Sequence, residues 1–239
     1  MRVQCGGRST GEAIGAGGVA GLATRADLDS SPGDRSVEFA SFAEAWGELE
    51  SCGVVPVDPE VASPPPPPGV LASLELTLRE TARRIHLLPS GGVGDVAGEE
   101  RLDCPIDRIA PSLDHLLHKM HLAPLAVMPR CRWRSVLDAV CFTLAEDRAW
   151  QEVESETTLI LNTRDALVAG PADLNTVNAL VAALVGDGNA AEESIAIVPL
   201  SGQLLVEVVP GSGARIDVAT EAIGDAVREL LVDASTRGD

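Results

Sequence analysis

The chain has 239 residues, of which 45% are hydrophobic, and its formal net charge at pH 7 is -18. This hydrophobic share is enough to build a core and excludes global disorder. The excess of acidic residues repels phosphate backbones and anionic bilayers, so we expect neither nucleic acid nor a membrane surface as a partner. Such an acidic surface favours solubility, or a basic partner.

The cysteines favour a reducing compartment. Their number is odd, their spacing is irregular and they form no CxxC pair; they are Cys5, Cys52, Cys104, Cys131 and Cys141. This pattern argues against a disulfide framework. The first 27 residues are interrupted by glycines and lack the continuous apolar stretch of a secretory signal, so we expect a cytoplasmic protein.

The N-terminal part of the chain, residues 1–69, is predicted to be a low-complexity arm. Residues 1–36 are rich in Gly, Ser, Ala and Asp without periodicity, which indicates disorder. Residues 37–51 carry Phe39, Phe42, Trp46 and Leu49 at helical spacing, which predicts a short amphipathic helix. Two interpretations stay open: this apolar stripe docks into a groove on a protein partner, or it packs on the chain's own C-terminal domain.

A run of five prolines, Pro64 to Pro68, then favours an extended and stiff linker. It predicts a boundary between the arm and a single domain over residues 70–239. We expect that domain to begin with a helical lead-in, residues 70–121, formed by one helix over 70–88 and another starting near Ser112.

The remaining residues, 122–234, are predicted to form the sheet-containing core. Apolar runs indicate strands at 122–129 and 157–163 and a hairpin at 194–210 with its turn at Ser201–Gly202. Helical stripes follow the first two strands and the hairpin. The order β-α-β-α-β-β-α predicts an α/β domain with a mixed sheet and a parallel first pair of strands, an α+β arrangement being the alternative.

Three arginines stand within five positions of a strongly acidic chain, at Arg130, Arg132 and Arg134. If the first two strands are parallel, their carboxyl ends share one sheet edge and Arg164 joins the cluster there. Guanidinium groups bind phosphate or carboxylate in a two-pronged fashion. The sequence therefore offers an anionic-ligand site at this edge, or internal pairing with nearby acids, which we favour; these acids are Asp138, Glu152, Glu154, Glu156 and Asp165.

A second cluster lies on the helix after Ser112. Asp114, His118 and His121 fall on one flank of that helix and could share a metal ion, but a solvated polar face is the commoner arrangement. We expect no metal. No phosphate-loop motif or nucleophile elbow is complete, and we expect no cofactor.

Two function classes remain. We favour a non-enzymatic module for protein interaction or regulation, because no convergent acid, base and nucleophile are found in the sequence. The alternative is an enzyme or sensor that binds a small anionic ligand at the arginine-lined edge of the sheet.

Overall fold

A computed structural model of the chain describes residues 38–58, 73–91, 98–147, 150–151, 160–188 and 190–236. Within these ranges the strands are β1 (Glu38–Ala40), β2 (Val54–Pro56), β3 (Leu76–Leu78), β4 (Arg83–Pro89), β5 (Glu100–Cys104), β6 (Leu125–Pro129), β7 (Ala166–Ala169), β8 (Ile195–Pro199), β9 (Leu204–Val209) and β10 (Gly213–Val218). The α-helices are α1 (Phe42–Ser51), α2 (Ile106–Lys119), α3 (Trp133–Val140), α4 (Leu174–Asp187) and α5 (Glu221–Thr236).

Eight of these strands form one sheet in the order β1-β7-β6-β8-β9-β10-β4-β5, and β2 pairs with β3 in a small sheet. Only the β4–β5 pair among the described strands is parallel, and the other pairs are antiparallel. The predicted α/β fold with a mixed sheet is confirmed. The predicted turn at Ser201–Gly202 is also confirmed, since it joins the antiparallel strands β8 and β9.

The predicted helix over residues 70–88 is wrong, because the described part of this segment contains β3 and β4. Along β4 the apolar residues Ile85 and Leu87 alternate with Arg84 and His86, which is the period of a strand with one buried face. Of the two predicted lead-in helices only α2 is found in the described ranges, and it begins at Ile106 rather than near Ser112.

The second predicted strand, residues 157–163, is also misplaced. Residues 157–159 lie outside the described ranges, residues 160–163 form a turn, and the strand is β7, which starts at Ala166. β7 is antiparallel to β6, with Leu125 opposite Ala169 and Val127 opposite Leu167. The predicted parallel pair is therefore wrong, and the end of β6 meets the beginning of β7.

The two faces of the sheet belong to different clusters of buried side chains. Alternate residues of the central strands, such as Val127 and Val206, pack against the helices α2, α3, α4 and α5. The intervening residues, such as Met128 and Leu205, form a smaller cluster with α1, β2 and β3. We call these the helix-covered face and the flap face, and the flap is defined as residues 73–78.

The segment before the polyproline run is part of this fold. Ser41 caps α1, since its hydroxyl accepts a hydrogen bond from the Glu44 amide and the Glu44 carboxylate accepts one from the Ser41 amide. β1 pairs with β7 at the edge of the main sheet, and Leu49 of α1 is fully buried. The described residues 38–58 therefore do not form an arm separate from the domain, and the predicted disorder of residues 1–36 lies outside the described ranges.

Candidate functional site

A row of paired charges crosses the flap face at β9, β10 and β4. We call it the charged network, and its members are Glu75, Arg84, His86, Glu99, Arg130, Glu207, Arg215 and Asp217. Acids and bases alternate along it, because the sheet register places Arg84 opposite Asp217 and Arg215 opposite Glu207. Such opposite-charge pairs across neighbouring strands stabilise a sheet.

Asp217 is the most deeply buried member, with a relative exposure of 0%. Arg84 binds it through two nitrogens, with Nε 2.6 Å from Oδ1 and Nη2 3.2 Å from Oδ2. The Thr77 hydroxyl donates a third hydrogen bond to this carboxylate at 3.2 Å. The hydrogen bond to Asp217 raises the pKa of Arg84 above its ordinary value, more than burial lowers it.

The middle of the network holds the flap on the sheet. Arg215 Nη2 lies 2.9 Å from Glu207 Oε2 and donates a hydrogen bond to the Leu76 carbonyl at 2.6 Å. Arg130 pairs with Glu75 and lies 3.5 Å from Glu207 through Nη1. Because Leu76 and Glu75 belong to the flap, these contacts join it to β6, β9 and β10.

At the other end of the network, His86 and Arg84 meet Glu99. His86 Nε2 is 2.5 Å from Glu99 Oε2, and Arg84 Nη1 donates to Oε1 at 3.0 Å. Burial works to raise the pKa of Glu99, but the hydrogen bond with His86 and the attraction of Arg84 together lower it below its usual value.

A pocket opens beside Arg130 and Glu207. Its walls are mostly apolar and consist of Leu74, Leu76, Met128, Pro129, Arg130, Ile195, Ala196, Leu205 and Glu207. The space between these walls is about 290 Å³ when open solvent is included, but its enclosed part holds no more than about one water molecule. Both charged groups are engaged in ion pairs, so this pocket offers a ligand no free charge.

The charged network was missed from the sequence, although a signal was present. Arg84 and His86 in β4, and Arg215 and Asp217 in β10, alternate strictly with apolar residues. That period-two pattern is typical of half-buried strands. The pairing partners lie far away in the chain, so the pattern alone does not predict which charges meet.

The four arginines of the predicted edge site lie in different environments. Arg130 pairs internally, as favoured, but with Glu75 and Glu207 rather than with the acids close in sequence. Asp165 instead accepts a hydrogen bond from the Phe42 amide at 3.0 Å, and its carbonyl accepts one from Trp133 Nε1 at 2.7 Å.

Arg164 is brought to the same end of the sheet as Arg130, but for a different reason from the one predicted. It precedes β7, and β7 runs antiparallel to β6, so it lies beside the loop that leaves β6. The residue is 4% exposed, and its Nε donates to the Cys131 carbonyl at 3.0 Å. Its Nη2 is buried, and no residue in the described ranges accepts a hydrogen bond from it. Burial lowers the pKa of this guanidinium, whereas the nearby Cys131 thiol works more weakly in the opposite direction.

Arg132 and Arg134 flank the beginning of α3 and are exposed. Neither forms an ion pair with a residue in the part of the chain that the structure describes. The first amides of α3 are occupied, since Trp133 N donates to the Thr163 carbonyl at 3.3 Å and Arg134 N to the Leu161 carbonyl at 2.8 Å.

The predicted histidine face is only partly assembled. His118 Nδ1 lies 3.1 Å from Asp114 Oδ1 within α2. His121 is exposed beyond the end of that helix, with a positive φ of 52°. Among the described residues no group of three ligating side chains could hold a metal ion.

The aromatic stripe near the N-terminus contacts the chain's own core. Phe39 packs edge-on against the buried Trp133, with 5.7 Å between ring centroids, and Leu49 is fully buried. Phe42 stacks on Trp46 at 5.8 Å, and both are half buried. Of the two interpretations of this stripe, the structure supports packing on the chain's own domain.

One aromatic side chain, that of Phe142, is exposed to solvent. All six aromatic residues lie in described ranges, and five of them are buried or half buried, whereas Phe142 is 92% exposed. It lies in the turn that follows α3, between the exposed residues Cys141 and Thr143. Sequence reasoning assigned Phe142 no role.

Comparison with protein-family profiles, with curated proteins and with solved structures gives no match for this chain. Within the described ranges, none of the helices combines the length and the apolar character needed to cross a bilayer.

Proposed function

We propose that this protein is a non-enzymatic interaction module that docks a protein partner through the turn around Phe142. The observation that carries the proposal is the 92% exposure of this side chain. An exposed aromatic ring gains much apolar contact when a partner covers it, and aromatic residues dominate the binding energy of protein interfaces. This replaces the N-terminal stripe as the proposed docking element.

The turn presents Phe142 from a fixed framework. The amides of Cys141 and Leu144 donate to carbonyls of α3 at 2.9 and 3.0 Å, and the Leu144 side chain is buried. The Thr143 hydroxyl contacts the Asp187 carboxylate at the end of α4. A preorganised element loses less conformational entropy on binding, which favours affinity.

The surroundings of the turn favour a basic partner. Asp138 lies one helical turn before Phe142, Glu146 follows it by four residues, and Asp187 contacts the turn through Thr143; all three are exposed. An apolar anchor with an acidic rim complements an apolar pocket with a basic rim. The net charge of -18 acts in the same direction over a longer range.

The test replaces Phe142 by a photo-crosslinking phenylalanine analogue in the full-length chain and irradiates it in cells that contain the native partner. We expect one basic protein to be crosslinked reproducibly. Once that protein is purified, its affinity for the wild type and for Phe142→Ala is measured by calorimetry. Loss of a central aromatic anchor weakens binding by about 2 kcal/mol or more, roughly thirtyfold.

Val232 on α5 is 40% exposed and serves as the matched control. The analogue at position 232 should not crosslink the same protein, and Val232→Ala should bind it as the wild type does. Equal affinity of Phe142→Ala and the wild type would refute the proposal.

We also propose that the module works in a reducing compartment such as the cytoplasm. The four cysteines in the described ranges, Cys52, Cys104, Cys131 and Cys141, are all free thiols. Burial raises the pKa of the Cys52 and Cys104 thiols, which keeps them protonated and weakly reactive.

A further inference from the structure

Positive charge accumulates without a described counter-charge where β6 ends and β7 begins. Arg132 and Arg134 are exposed there and have no carboxylate partner among the described residues. Arg164 contacts the same loop through the Cys131 carbonyl and is buried with an unsatisfied Nη2. This is unexpected in a chain with 36 acidic and 18 basic residues, since pairing with an acid is easy to arrange.

The buried guanidinium and the α3 dipole both favour a negatively charged group at this loop. A buried guanidinium with unsatisfied donors is costly unless a counter-charge reaches it. The positive end of the α3 dipole lies at Arg132 and disfavours further cations. The first amides of α3 already bind the carbonyls of Leu161 and Thr163, so an incoming group would be held by side chains.

We propose that Arg132, Arg134 and Arg164 form a binding site for a small tetrahedral oxyanion, either inorganic phosphate or a phosphate monoester. A dianion matches three guanidinium groups better than a single carboxylate does, and its oxygens accept paired hydrogen bonds from arginine. Arg130 is excluded from the site because Glu75 and Glu207 neutralise it. This ligand site is separate from the protein interface proposed at Phe142.

The ligand enters through the loop that leaves β6. Arg164 Nε binds the carbonyl of Cys131, whose side chain is half buried, and Arg132 beside it is exposed. The proposed site requires the Cys131 and Arg132 side chains to move, so that the oxyanion reaches the buried nitrogen of Arg164. An oxyanion bound in this way would shield the Cys131 thiol.

The first experiment titrates inorganic phosphate into the full-length protein and follows the ³¹P linewidth and the melting temperature. Sodium chloride and sodium acetate at matched ionic strength control for screening. We expect saturable line broadening and a melting temperature that rises with phosphate concentration, as mass action requires. A phosphate monoester, glycerol phosphate, is the second arm, and tighter binding of it would show that the site takes a phosphorylated metabolite.

Arg132→Ala and Arg134→Ala change exposed positions and leave the core intact. Each should weaken phosphate binding by about tenfold or more, the loss of one charge-assisted contact. Arg79→Ala is the matched control, because Arg79 is also exposed and carries the same charge away from this loop. It should bind phosphate like the wild type.

Cysteine reactivity provides a measurement that needs no variant. Phosphate should slow the alkylation of Cys131, followed by mass spectrometry, and leave the exposed Cys141 unchanged. Equal effects of phosphate and chloride would overturn the proposal. So would phosphate binding that Arg132→Ala and Arg134→Ala leave intact, or an unchanged alkylation rate at Cys131.

Discussion

The two faces of the eight-stranded sheet differ in what covers them. Four helices and an almost purely apolar cluster cover one face, including Trp133, Leu116 and Val206. The flap face carries a smaller apolar cluster with α1 and the small sheet, and the charged network on β9, β10 and β4 joins the flap to the sheet beside that cluster. One face is therefore stabilised mainly by the removal of apolar surface from water, and the other also depends on satisfied ion pairs.

This difference gives the two faces different sensitivities. An apolar core tolerates changes of pH and salt but not loss of volume. A buried ion pair is nearly neutral overall, yet removal of one partner leaves an uncompensated charge and is strongly destabilising. The flap face should therefore respond to single charge deletions that have no counterpart on the helix-covered face.

The largest effect is expected from removing the cover of the flap face. A variant that starts at Gly69 lacks β1, α1 and β2, and with them the fully buried Leu49 and Val54. Truncation of a single buried leucine costs about 2–5 kcal/mol, against a total stability of about 5–15 kcal/mol for a typical domain. We expect this variant to lose its cooperative thermal transition. A variant that starts at Val37 keeps every described element and should melt like the full chain. An unchanged melting temperature of the variant that starts at Gly69 would show that the flap face is stable without its cover.

The next effect concerns the helix-covered face. Trp133 is fully buried, donates to the Asp165 carbonyl and touches Phe39 of β1. Trp133→Ala should lower the free energy of unfolding by about 3–5 kcal/mol, measured by urea denaturation. Phe142→Ala removes an aromatic ring from the surface and should change stability by no more than about 0.5 kcal/mol. Similar losses in both variants would contradict the assigned burial.

Asp217 tests the charged part of the flap face. Asp217→Leu leaves Arg84 without its buried partner and should cost about 3 kcal/mol, the lower end of the usual range, because the Arg84 side chain keeps 29% of its exposure. The double variant Arg84→Leu/Asp217→Leu should recover part of that loss. If the double variant loses as much unfolding free energy as the two single variants together, or more, the pair is not coupled as described.

The smallest effect is a pH dependence at Glu99. Its pKa is lower in the folded protein than in the unfolded chain, so its stabilising contribution exists above the unfolded pKa and is lost as the pH falls through the folded pKa. Glu99→Gln should be less stable than the wild type by under about 1 kcal/mol at neutral pH. The difference should begin to shrink as the pH falls below about 4.3, the value for an unperturbed glutamate, and should vanish below the lower folded pKa, as urea midpoints at several pH values would show. Glu146→Gln at an exposed position is the matched control.

The elements with local signals could be predicted from the amino-acid sequence. The apolar stripes predicted helices where α1, α4 and α5 are found, and the apolar runs predicted β6 and the β8–β9 hairpin. These elements follow from residues three or four positions apart, or from alternate residues, so no distant contact is needed to recognise them.

The contacts between these elements depend on the three-dimensional fold and could not be predicted from local patterns. The chain around Arg84 became a strand because β10, more than a hundred residues later, pairs with it and buries alternate side chains. Arg130 pairs with Glu75 and Glu207 rather than with Asp138, which is only eight residues away in the chain. The reason is that the sheet order brings β6, β9 and the flap together. Arg164 lies beside the loop that leaves β6 because β7 runs antiparallel to β6. A charge pairs with whatever the fold places within a few ångströms of it, and that distance is a property of the sheet order and strand direction rather than of the spacing along the chain.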